Sequence, residues 1–72
     1  MNRIEIFKQY NQRGDTPYWD IYVNGHFISR HNQLCKAKVR AMACQGLTTD
    51  EGSWHRKDKD LIHPTRYFLE VA

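Results

Sequence analysis

Tyr18-Trp19-Asp20-Ile21-Tyr22-Val23-Asn24-Gly25-His26-Phe27-Ile28-Ser29-Arg30 is the stretch on which the fold turns. Two runs dense in aromatic and β-branched residues flank Asn24-Gly25. Such residues suit the pleated, half-buried surface of a strand. Asn-Gly between them supplies the two positive-φ positions of a type I′ turn, so the stretch predicts a tight hairpin. Counting outward from the turn, Val23 faces His26, Tyr22 faces Phe27, Ile21 faces Ile28 and Trp19 faces Arg30. Opposed residues of an antiparallel pair share a face. One face therefore carries Trp19, Ile21, Val23 and Ile28, and the other carries Tyr18, Asp20, Tyr22, Phe27 and Ser29.

Upstream, Arg3 to Tyr10 reads as another strand, followed by turn chemistry from Asn11 to Pro17. Downstream, the hydrophobic period changes. Leu34, Ala37, Ala41 and Cys44 recur at three- and four-residue spacing, which predicts a helix over 32–45. Asn32 is its candidate N-cap and Gly46 its stop. Cys35, Val39 and Met42 make a second stripe, read as flanking core or as a contact for a second subunit. Residues 47–65 form a long loop or a short extra hairpin, in which Ser53 to Arg56 is a candidate short strand. Arg66 to Val71 alternates and closes the chain as a strand. The order β-β-β-α-(loop or β)-β predicts an α+β fold: a small antiparallel sheet with one helix on one face, in a single domain spanning 1–72.

The helix covers one side of the sheet. Trp19, Ile21, Val23 and Ile28 are the natural core beneath it, joined by Ile4, Ile6, Tyr67, Leu69 and Val71. The same alternation sends Phe7 and Phe68 to the opposite side with Tyr18, Tyr22 and Phe27, accompanied by Arg3, Glu5, Arg66 and Glu70. An uncovered sheet face is normally polar. Five aromatics with arginines at their rim are instead the composition of a binding surface. The candidate partner-binding residues are therefore Arg3, Phe7, Tyr18, Tyr22, Phe27, Arg66 and Phe68. The competing reading is local packing, or a lid formed by Trp54, Leu61 and Ile62.

Chemistry is sparse. There is no Gly-rich phosphate loop and no nucleophile elbow, and the carboxylates show no acid–base pairing. The histidines and cysteines lack the paired close spacing of a zinc site. No catalytic residue, metal or cofactor is expected, and the chain reads as a non-enzyme. The run from His55 to Asp60 beside Trp54 offers a secondary contact through Trp54, Arg56 and Lys57, with phosphate held by the cations and a base stacked on the indole.

Size and charge bound the rest. The chain has 72 residues, with 11 basic and 8 acidic side chains for a net charge of +3. Below about 70–80 residues one core rarely supplies more than ~3–5 kcal/mol, so a partner subunit is a natural stabiliser and a homodimer an open alternative. Cys35 and Cys44 lie nine residues apart on the expected helix, about 13 Å along its axis, too far to pair. Two reduced, buried thiols, with no signal peptide and no membrane span, predict a cytoplasmic protein.

Tyr18 to Val23, Leu34 to Cys44 and Arg66 to Val71 together resemble small phage-encoded inhibitors, including the phage protein that blocks bacterial RNA polymerase and several anti-CRISPR proteins. That resemblance implies a phage or mobile-element origin and inhibition of a host complex through protein–protein contact. Arg3 to Arg30 followed by the helix is also similar in order to the three-stranded DNA-binding domain of plant transcription factors and phage integrases. That resemblance implies nucleic acid as the alternative partner. Aromatics stand where that family carries arginine and lysine, which favours single strands over duplex.

Overall fold

The structure, a computed structural model, describes residues 2–46 and 54–71, with the side chain of Val71 outside the described set. Its strands are β1 (Asn2–Tyr10), β2 (Pro17–Val23), β3 (His26–His31), β4 (His55–Lys57) and β5 (Arg66–Val71), and its helix is α1 (Leu34–Cys44). The fold is the α+β arrangement read from the sequence. One five-stranded antiparallel sheet runs in the order β3-β2-β1-β5-β4. The candidate strand at Ser53 to Arg56 corresponds to β4, while 47–53 lie outside the described residues.

The hairpin turn forms as its chemistry requires. Asn24 and Gly25 both adopt positive φ, +52° and +83°. The Asn24 side chain also accepts a hydrogen bond from the Arg3 amide at 2.9 Å, which ties the turn to β1.

Next to the turn, Val23 pairs with His26 and Tyr22 with Phe27, but Ile21 then pairs with Ser29. Ile28 is the extra residue of a β-bulge. It lies exposed, so its expected place in the core is corrected. Trp19 pairs with His31 and not with Arg30, and Arg30 now stands opposite Asp20. A slip of one residue moves every later side chain to the other face.

The core is thin. Ile4, Ile6 and Ile21 on the sheet meet Ala37 and Ala41 on the helix, and all five are fully buried. The two alanines let α1 sit close over β1, β2 and β3. Trp19, Val23, Leu34, Trp54 and Tyr67 pack around this centre.

The helix is one step out of phase with the sequence reading at its C-terminal end. Met42 is fully buried and Cys44 is exposed. Cys35 and Val39 face solvent with it, so neither thiol is buried, although both are free. Gln33 takes the N-cap position in place of Asn32, without a side-chain cap. Gly46 ends the helix at φ +70°, where a residue without Cβ is favoured.

The loop from β4 to β5 is organised by one carboxylate. Asp60 accepts hydrogen bonds from the amides of Ile62 at 2.8 Å and His63 at 2.6 Å. These donors, His63 first, hold the Asp60 carboxyl below its ordinary value. A depressed carboxyl contributes order that is complete above its ordinary pKa and is lost as pH falls through the lowered one. The amide resonances of Ile62 and His63 should therefore hold steady as pH falls through the ordinary carboxylate range and move together only in stronger acid. Movement at the unperturbed aspartate midpoint would contradict the arrangement.

Among the described residues no helix is long and apolar enough to cross a membrane.

Candidate functional site

The sheet face away from α1 is built in rows. Cross-strand pairing aligns His55, Phe68, Glu5, Tyr22 and Phe27 in one row through all five strands. The next row is Lys57, Arg66, Phe7, Asp20 and Arg30. Arg3 with Glu70, and Gln9 with Tyr18, extend the face at its two ends. The seven residues expected on this side, Arg3, Phe7, Tyr18, Tyr22, Phe27, Arg66 and Phe68, all share it.

The aromatic centre is a chain of edge-to-face contacts. Phe7 meets Tyr22 with ring centroids 5.4 Å apart and an interplanar angle of 87°. Tyr22 meets Phe27 at 5.7 Å and 72°. Such pairs contribute about 0.5–1.5 kcal/mol beyond their buried area. On the β4 side, His55 stacks on Phe68 at 5.2 Å.

Each arginine of the face is held by a carboxylate. Arg30 donates from Nε to Asp20 at 2.7 Å and from Nη2 at 3.3 Å. Hydrogen bonding to Asp20 holds its guanidinium above the ordinary value. Arg66 donates to Glu5 at 2.8 Å, and Arg3 to Glu70 at 3.2 Å. Two of these arginines also lie over rings: Arg30 over Tyr18 at 4.0 Å and Arg66 over Phe68 at 4.5 Å. Carboxylate below and ring beside leave the guanidinium few rotamers to lose on binding.

Among the described residues the face is open at its centre. A hollow of about 350 Å³ is lined by Glu5, Phe7, Gln9, Tyr22, Gly25 and Pro64. Pro64, in the β4–β5 loop, forms one wall. A second hollow, of about 390 Å³, lies under that loop with Lys8, Lys59 and Asp60 in its lining, a charged setting that suits water. Leu61 and Ile62 are exposed and border this second hollow but not the first, so the lid reading finds no support in them over the aromatic centre.

The expected secondary contact divides. Trp54 packs against the helix-side core with the Lys38 ammonium 5.8 Å from its ring, so its indole is turned away from the open face. Arg56 pairs with Asp58 at 2.7 Å and lies 5.9 Å from the Tyr67 ring. Only Lys57 joins the row with Arg66.

Arg30 and His55 belong to the face but were not singled out from the sequence. An aspartate in the middle of an otherwise apolar strand is a signal for Arg30, because a shielded carboxylate requires a cation. No group of three His, Cys, Asp or Glu residues converges among the described residues.

Compared with protein-family models, curated proteins and solved structures, the chain matches none.

Proposed function

We propose that this chain is a non-catalytic binding protein whose open sheet face docks on another protein. One observation carries the choice of a protein over nucleic acid: the faces of the rings are already taken. Tyr18 and Phe68 carry guanidinium groups, His55 stacks on Phe68, and Phe7, Tyr22 and Phe27 pack edge against face in two successive contacts. Base stacking needs flat, free rings. A mixed, pre-packed aromatic surface with constrained arginines is what protein hot spots are made of. The resemblance to small phage-encoded inhibitors supports a role as inhibitor or modulator of a host complex, such as a CRISPR effector or an RNA polymerase.

Tyr22→Ser and Phe27→Ser test the proposal. The aliphatic side of the sheet is untouched by either; Phe27→Ser removes one edge-to-face contact and should lower the melting temperature modestly, and Tyr22→Ser removes two and should lower it more. Both should abolish capture of the partner from cells that express the protein, since truncating a central aromatic often costs 2 kcal/mol or more, roughly speaking. Unfolding of both variants would show that these rings are core. Tight, salt-sensitive binding of labelled oligonucleotides, lost in the same variants, would move the assignment to nucleic acid.

A further inference from the structure

Resting on the assignment of the sheet face as a docking surface, we propose the chemistry of its occupant. It is an extended acidic segment of a partner protein, laid across the strands. An apolar side chain sits in the hollow over Phe7 and Tyr22, and a carboxylate two residues to either side reaches Arg30 and Arg66.

The spacing comes from the sheet itself. Arg30, Asp20, Phe7 and Arg66 occupy one row on four adjacent strands. Strands lie about 4.8 Å apart, so the two arginine backbones are three spacings, or about 14 Å, from each other. An extended chain rises about 3.3 Å per residue and points alternate side chains the same way, so its residues i and i+4 are about 13 Å apart. Residue i+2 then falls midway, between Asp20 on β2 and Phe7 on β1, beside the hollow lined by Phe7 and Tyr22.

The charge follows from how the ion pairs are layered. The Asp20 side chain is 7% exposed and that of Arg30 is 55% exposed. Glu5 is 14% exposed against 29% for Arg66. The acids lie beneath and the cations above, so a face whose charges nearly balance still presents positive groups outward. A guanidinium has five donors, and these pairs use only some of them. Arg30 Nη1 and Arg66 Nη2 donate to no other group among the described residues. Lys57, next to Arg66 in the row, adds an exposed cation. Carboxylates complement this surface, because charge-assisted bonds to arginine are both strong and directional.

A capped heptapeptide, Ser-Glu-Ser-Phe-Ser-Glu-Ser, titrated into isotope-labelled protein and followed by NMR, is the test. Saturable shifts are expected at Phe7, Tyr22, Arg66 and the Nε of Arg30. Replacing both glutamates by glutamine, or the phenylalanine by alanine, should weaken binding by about tenfold or more. Added salt should weaken the parent peptide in the same direction. A lysine-for-glutamate peptide that binds as tightly would overturn the proposal. So would shifts centred on α1, displacement of the peptide by oligothymidylate, or no saturable shift at about 5 mM peptide. The protein is unaltered throughout, so folding does not confound the result. If peptide binding fails while Tyr22→Ser still loses partner capture, the docking surface stands and only the occupant's chemistry falls. If Tyr22→Ser keeps capture, the surface itself is wrong.

Discussion

Ile21→Ala is expected to leave much of the protein unfolded at room temperature. Ile21 is fully buried at the centre of β2, between Ile6 on β1 and the two alanines of α1. Removing three carbons there loses transfer free energy and opens a cavity, at a cost of about 2–5 kcal/mol. A core this small rarely supplies more than about 3–5 kcal/mol, so the loss is comparable to the whole. Urea denaturation monitored by circular dichroism should show a pretransition baseline that is shortened or absent. A midpoint that barely moves would mean that α1 does not close on this side of the sheet.

Met42→Ala should be nearly as damaging, at about 2–5 kcal/mol, because Met42 has no exposed surface. Cys44→Ala, two residues on, should stay within about 0.5 kcal/mol of the parent, since that side chain faces water. The contrast is a direct test of helix phase. The reverse order of effects would place Cys44 inside, as its spacing from Leu34 and Ala41 suggests.

Those two residues also show where the sequence stopped being informative. An apolar stripe at three- and four-residue spacing identifies a helix, but here two stripes compete and both contain small or sulfur-bearing residues. Periodicity alone does not rank them. The inner face turned out to run from Ala37 and Ala41 to Met42, with Leu34 at its edge.

The sheet was legible for a different reason. Asn24-Gly25 anchors a register, and strict alternation carries the two faces to β1 and β5, where Ile4, Ile6, Tyr67 and Leu69 lie on the helix side as expected. Counting fails only after Ile28, because nothing in the local composition marks a bulge there. The same event brought Arg30 to Asp20 and so completed the open face. The position of β4 and the inward turn of Trp54 were not readable, since a three-residue strand carries almost no periodic signal.

The bulge has a consequence at the margin of the sheet as well. Every open sheet ends in two rows of backbone groups that invite another strand, and unguarded rows are where chains pair in error and grow into fibres. β3 is one such margin, and Ile28 interrupts its pleat in mid-strand. β4 is the other, only three residues long and made of His55, Arg56 and Lys57. Both margins are poor templates, one kinked and one short and charged. Guarded in this way, the sheet offers few edge groups to a second strand, and edge-to-edge pairing is disfavoured despite the aromatics on its broad side.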